Sequence, residues 1–134
     1  MARYTVNDIL NFKKRAYELG LKASVRYFNR SAEELTNVCN GVGGEGSRLS
    51  NILTWAFWNK QVSASIHDEG YDAGGTEEDR EQLDKDFRDN MITEWVAEQG
   101  FWRWFKLAAV LERRKINLAY AAVRTLGSAY FKYR

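Results

Sequence analysis

The sequence predicts an all-α fold, and three observations carry that prediction. Proline is absent, the glycines gather at a few points, and apolar residues recur at one-face helical spacing along much of the 134-residue chain. That length suits one domain with one modest core, so residues 1–134 are read as a single unit.

The elements follow in order. A first helix is expected from about Asn7 to Leu19, opened by Thr5 or Asn7 and closed at Gly20, with Ile9, Leu10, Phe12, Ala16 and Tyr17 on its apolar side. Ser31-x-x-Glu34 reads as a capping box that starts a short helix ending near Asn40-Gly41. Four glycines in the next six residues, Gly41 to Gly46, require a loop. Leu49, Ile52, Leu53, Ala56 and Phe57 return to helical spacing, whereas Val62-Ser-Ala-Ser-Ile66 alternates like a strand. The pattern does not decide whether helix runs on to Tyr71. Asp72-Ala-Gly-Gly75 is a turn, and Thr76 with Asp79 opens a second central helix, Glu77 and Glu78 being well placed in its first turn. Leu83, Phe87, Met91 and Trp95 recur every four residues as its buried stripe, and Gly100 ends it. Two central helices joined by a glycine turn are expected to lie antiparallel. Residues 101–134 have almost continuous helical potential, weakly broken at Gly127.

Composition excludes several classes. A single cysteine, Cys39, cannot form an internal disulfide, and no apolar run reaches the ~18 residues of a membrane span. The N-terminus has no secretory signal pattern, so synthesis in a cytoplasm is expected, with release by lysis or delivery on a particle. A net charge of +2 hides an asymmetry: by direct count residues 67–98 hold 12 acidic and 3 basic side chains, and residues 101–134 hold 8 basic and 1 acidic.

Three features could carry chemistry. Cys39-Asn40-Gly41-Val42-Gly43-Gly44-Glu45-Gly46 is a loop whose carbonyls can turn inward. His67-Asp68-x-x-Tyr71 puts His67 and Tyr71 on one face if the stretch is helical. Asp84 lies beside the apolar stripe of the next helix, where an antiparallel partner brings it near His67. Calcium takes six to eight oxygen ligands, including backbone carbonyls, and Asp68 offers the charged one. His67 is then free to activate a water, with a carboxylate such as Asp84 fixing its tautomer. The plain alternatives are a structural turn for the glycines and a solvated acidic face for Asp84, with Asp79, Asp86 and Asp89 close in sequence.

At these residues the chain resembles the phospholipase A2 superfamily. Gly41, Gly43, Gly44 and Gly46 match the glycines of its calcium loop, with Asn40 at the usual loop cysteine. His67-Asp68-x-x-Tyr71 matches its active-site helix motif, with Gly70 in place of a cysteine. Leu83-Asp84 with Phe87 resembles the element bearing the second aspartate, and is most similar to the form in the disulfide-free phospholipase domains of parvovirus capsids. The resemblance covers roughly residues 38–91, and Gly70 and Leu83 stand where the family has two cysteines of one disulfide. It implies calcium held by the carbonyls of Cys39, Gly41 and Gly43 and the carboxylate of Asp68. It further implies His67 as general base, Asp84 as its carboxylate partner, Tyr71 as a hydroxyl supporting Asp84, and the Gly41 N–H in the oxyanion hole. The implied reaction is hydrolysis of the sn-2 ester of glycerophospholipids at a membrane surface, in a viral, phage or bacterial setting. The rival implication is a non-catalytic relative serving as a virion or host-binding scaffold.

The C-terminal region 101–134 has two readings. On a helical wheel Arg103, Lys106, Arg113, Arg114, Arg124 and Lys132 fall on one side, and Trp104, Leu107, Leu111, Leu118, Ala122 and Ala129 on the other. Such a helix either packs on the central pair, its basic side offsetting their acidity, or docks on a membrane. Nucleic acid is not an expected partner, because no recognition motif accompanies the basic residues.

Overall fold

The computed structural model describes residues 4–39, 60–99 and 106–134, and these are mostly helical. Helix α1 spans Val6–Leu19, α2 Val25–Asn29, α3 Ala32–Val38, α4 Gln61–Ala73, α5 Glu77–Gln99 and α6 Lys106–Leu126, followed by a 3₁₀ turn at Gly127–Ala129. The glycine loop, the apolar pattern at 49–57, Arg103 and Trp104 lie outside the described residues.

The helix ends follow their local chemistry. Thr5 caps α1 reciprocally with Asp8: the Thr5 hydroxyl accepts from the Asp8 N–H, and the Asp8 carboxylate accepts from the Thr5 N–H. Ser31 accepts from the Glu34 N–H to start α3. Thr76 and Asp79 make the same reciprocal pair before α5. Helix α2 falls where the sequence pattern gave no signal, and is capped by Ser24.

Helix α4 settles the undecided stretch: Val62–Ile66 is helix, not strand. The alternation arises because small residues let α4 be covered on two sides. Val62 and Ile66 join Ile9, Phe12, Ala16, Tyr27 and Leu35 in an N-terminal apolar cluster. Ala64 joins Phe87, Met91, Ile116, Ala119 and Val123 in a second cluster with α5 and α6. Every residue from Val62 to Tyr71 is buried. Buried polar groups need partners, and α4 finds them on its neighbours. Ser65 meets the Tyr27 hydroxyl at 2.8 Å, and Glu69 accepts from Arg26 at 2.6 and 3.0 Å. The N-terminus of α4 has no cap of its own; Glu94 of α5 supplies one, accepting from the Ser63 N–H and hydroxyl at 2.9 and 2.6 Å. Ser63 meets Glu94 and His67 meets Asp84, so α4 and α5 run antiparallel.

The turn between them is locked by the C-terminus. Gly75 N–H donates to the Lys132 carbonyl at 3.0 Å, Arg134 N–H to the Gly75 carbonyl at 2.8 Å, and Lys132 bonds Asp72. Gly74 has φ 74° and ψ −165°, a region almost confined to glycine. A Cβ there would also lie 1.8 Å from the Lys132 carbonyl oxygen.

The C-terminal helix corrects the wheel reading. Its buried face is Ile116, Ala119, Ala122 and Val123, packed on α5. Leu107, Leu111 and Leu118, and Ala129 beyond the helix, are exposed instead. Arg124, on the basic side, turns inward toward a buried carboxylate, as a helix packed on the central pair with its basic side offsetting their acidity would have it. The sequence pattern failed here because small alanines form the packed face and leave the larger leucines outside.

Replacing Gly74 by Ala is expected to destabilise the fold by about 1–3 kcal/mol, from backbone strain and the clash with Lys132. Chemical denaturation measures this, and an unchanged midpoint would contradict the locked turn.

Candidate active site

Helices α4 and α5 bring His67, Tyr71 and Asp84 together at their shared buried face. His67 and Tyr71 are one turn apart on α4 and are 2 % and 4 % exposed; Asp84 on α5 is 0 % exposed. Asp84 is therefore no member of a solvated acidic face. His67 Nε2 lies 2.7 Å from Asp84 Oδ1, and the Tyr71 hydroxyl donates to the same oxygen at 2.7 Å. The imidazole stacks on Phe87 with ring centres 4.4 Å apart, while the Tyr71 ring tilts against it at 4.2 Å.

Charge fixes the tautomer. Burial pushes the Asp84 carboxyl up, but the hydrogen bond from His67, with bonds from Tyr71 and Arg124, outweighs it and holds the group below the usual carboxylate range. An ionised carboxylate only accepts, so His67 Nε2 carries the hydrogen. Burial pushes the imidazole down, and Arg80 adds to this; Asp84 opposes without reversing it. His67 is therefore neutral at pH 7, with an unprotonated Nδ1. Among the described residues this buried nitrogen has no hydrogen-bond partner.

Sequence reasoning missed the groups behind Asp84. Arg124 of α6 donates from Nη1 to Asp84 Oδ2 at 2.8 Å and from Nη2 to Glu77 Oε1 at 3.0 Å. Arg80 stands 3.6 Å from Asp84 Oδ2 and bonds Glu77 and the Val123 carbonyl. Arg80 lies one turn before Asp84, a spacing that could have signalled it. Arg124 is 40 residues away and carries no local signal. Gly127 has a specific reason: a Cβ there would sit 2.5 Å from the Tyr71 hydroxyl oxygen. The glycine keeps room for the hydroxyl that supports Asp84.

The remaining expected residues divide by position. Asp68 follows His67 on α4 and is 7 % exposed. Its negative charge reaches Cys39 and Tyr4, so it sits near the point where the glycine loop leaves α3. Cys39 is buried, its thiol donating to the Ser65 carbonyl at 3.3 Å, and burial, then Asp68, push its pKa far up. Its thiol is inert at neutral pH. Gly41 and Gly43 lie outside the described residues. No cluster of three or more His, Cys, Asp or Glu side chains forms among the described residues. A hard cation here would draw on the Asp68 carboxylate together with main-chain oxygens, the hard donors that calcium takes.

Gly70 and Leu83 face each other, the Leu83 Cδ2 lying 2.5 Å from where a Gly70 Cβ would be. Leucine against glycine thus fills the contact between α4 and α5 without a covalent link. Beside it lies a cavity of about 340 Å³, with Ile66, His67, Leu83 and Phe87 in its walls and Lys22 and Arg26 among its polar lining. No helix among the described residues is long and apolar enough to cross a membrane.

Comparison with family models, with curated proteins and with solved structures finds no match for the chain.

Proposed function

We propose that the chain is a calcium-dependent hydrolase that cleaves the sn-2 ester of glycerophospholipids. One observation carries the reading: the buried His67 meets Asp84 through Nε2 at 2.7 Å and leaves Nδ1 with no hydrogen-bond partner among the described residues, and burial favours the neutral ring. That is the state a general base needs. In the reaction Nδ1 takes a proton from water as the water oxygen bonds to the ester carbonyl carbon. Asp84 and Tyr71 hold the imidazolium in place. The tetrahedral intermediate then expels the glycerol oxygen, which receives the proton from Nδ1, giving a fatty acid and a lysophospholipid. Asp68 and the carbonyls of Cys39, Gly41 and Gly43 would hold calcium, with the Gly41 N–H as a further donor to the oxyanion. Bound calcium supplies positive charge that polarises the ester carbonyl. Phospholipid as substrate is supported by the cavity beside His67, whose walls include Ile66, Leu83 and Phe87.

The membrane-facing surface in this reading is α6. Leu107, Val110, Leu111 and Leu118 are 72 %, 47 %, 51 % and 48 % exposed along about 16 Å of helix, and Arg113 and Arg114 are exposed beside them. Apolar side chains flanked by arginines suit an anionic lipid surface.

The enzymatic reading is tested by fatty-acid release from phospholipid vesicles. Release is expected with calcium and not with a chelator. His67→Gln is expected to lower turnover by about 10² to 10⁴ while calorimetry shows unchanged calcium binding. Asp68→Asn is expected to lose calcium binding with helicity intact. Equal turnover in wild type and His67→Gln would remove His67 from the reaction.

Docking is tested separately by changing both Arg113 and Arg114 to Glu. Activity on anionic vesicles is expected to fall far more than on a dispersed short-chain substrate, and salt is expected to weaken wild-type binding, because exposed charges are screened over about 8 Å at physiological ionic strength. Equal losses on the two substrates would assign α6 a purely structural role.

A further inference from the structure

The cavity beside His67 has a polar side that the hydrolysis step does not use. On α4, Ile66 and Gly70 stand in the middle of its wall, with His67 on one flank and Glu69 on the other, as the turn of a helix dictates. Ser24 and Arg26, at the start of α2, line it together with Glu69. The segment leading into α2 is fastened to α5 by Asn90, which is 2 % exposed. The Asn90 amide accepts from the Lys22 N–H at 2.7 Å and donates to the Lys22 carbonyl at 2.9 Å. The Lys22 ammonium is itself taken by Asp89 at 2.7 Å.

Arg26 is differently placed. Its Nε and Nη2 bond Glu69 at 2.6 and 3.0 Å, which fixes the plane of the guanidinium, and its Nη1 donates to no group among the described residues. Glu69 does not cancel the charge of Arg26 alone, because Arg30 also pairs with Glu69 at 3.3 Å. Linked by ion pairs, Arg26, Arg30 and Lys132 face Glu69 and Asp72, three cations against two carboxylates. Of those three cations only Arg26 lines the cavity. A planar guanidinium with unused N–H groups suits the oxygens of a phosphate. Asp86 on the α5 wall repels a second negative charge, which favours a phosphodiester over a doubly charged free phosphate. Ile66, Leu83 and Phe87 in the same walls suit an alkyl chain.

We propose that Arg26 is a specificity-determining residue: its unused N–H groups bind the phosphodiester of a lipid whose chain packs on Ile66, Leu83 and Phe87. The choice of lipid as ligand rests on the hydrolase reading. In a glycerophospholipid the phosphate lies only a few bonds from the sn-2 ester, so a single cavity bordered by His67 and Arg26 serves both groups.

The test uses two amphiphiles without an ester, decyl phosphocholine and decyl maltoside, below their micelle concentrations, and inorganic phosphate. Chelator is present throughout, so that no calcium bridges to the phosphate. NMR reads the Arg26 Nε–H, the Ala23 amide and the His67 ring. Decyl phosphocholine is expected to shift all three and to bind about tenfold more tightly than decyl maltoside, a low value for a charged hydrogen bond because Arg26 is half exposed. Arg26→Gln is expected to abolish that preference. Arg30→Gln, which also takes a cation from Glu69 but lies outside the cavity wall, is expected to keep it. Equal affinity for the two amphiphiles in the wild type, or an unmoved Arg26 Nε–H, overturns the proposal, and neither result needs a variant to fold. Equal loss of preference in both variants assigns Arg26 a structural role and overturns it. Inorganic phosphate bound as tightly as decyl phosphocholine marks a free-anion site and overturns it too, as do shifts confined to Leu107 and Leu111 of α6. Fatty-acid release is scored separately: a chain that binds as expected but releases none from phospholipid refutes the hydrolase reading and leaves the role of Arg26 standing.

Discussion

The structure is organised around one expensive act, the burial of an ionised carboxylate. Taking Asp84 out of water costs several kcal/mol even after relaxation, and only convergent donors can offset it. His67 and Tyr71 of α4 and Arg124 of α6 donate to Asp84, and Arg80 of α5 adds its charge at 3.6 Å. Each donor must be delivered within hydrogen-bond reach, so the antiparallel register of α4 and α5 and the placement of the end of α6 are fixed by the same atom group. The result is specific because the alternatives leave a charge buried without partners. The arrangement also has a chemical yield, since burial favours a neutral His67 whose Nδ1 meets no hydrogen-bond partner among the described residues.

Helix α4 explains how such a site sits between two apolar clusters. It carries Ser63, Ser65, His67, Asp68 and Glu69 in a fully buried stretch. Ser63, Ser65, His67 and Glu69 meet Glu94, Tyr27, Asp84 and Arg26 on neighbouring elements. Small residues, Ala64 and Gly70 among them, let neighbours approach closely, as Leu83 does against Gly70. The glycine at 127 serves the same end from the other side, leaving space for the Tyr71 hydroxyl. Packing and polar satisfaction are therefore one problem in this core.

What could be read in the sequence was local. Thr5, Ser31 and Thr76 announce helix starts because their hydroxyls satisfy N–H groups within three residues. The four-residue recurrence of Phe87, Met91 and Trp95 announces a buried stripe because helix geometry makes it one. His67, Tyr71 and Asp84 were legible as a set because one turn separates the first two and a short glycine turn folds the third back onto them. Long-range features were not legible. Arg124 was placed on a basic side that could offset the acidity of the central pair, but nothing near it in sequence singles out Asp84, 40 residues earlier, as its partner. The apolar face of α6 was only partly placed: Ala122 packs as expected, but alanines do most of the packing and Leu107, Leu111 and Leu118 face outward. The serines of Val62–Ile66 imitated a strand because their partners, Tyr27 and Glu94, come from distant helices.

The central claim is that His67 is a neutral base with its hydrogen on Nε2, and the most direct measurement is ¹⁵N NMR of the wild-type chain through a pH titration with chelator present. His67 is the sole histidine, so its two ring nitrogens are identified without ambiguity. The account predicts the Nε2–H form at pH 7. It also predicts protonation of Nδ1 only below the ordinary histidine value of about 6.5, because burial of the charged ring outweighs the attraction of Asp84. A hydrogen found on Nδ1 at neutral pH, or a midpoint above 6.5, would contradict it.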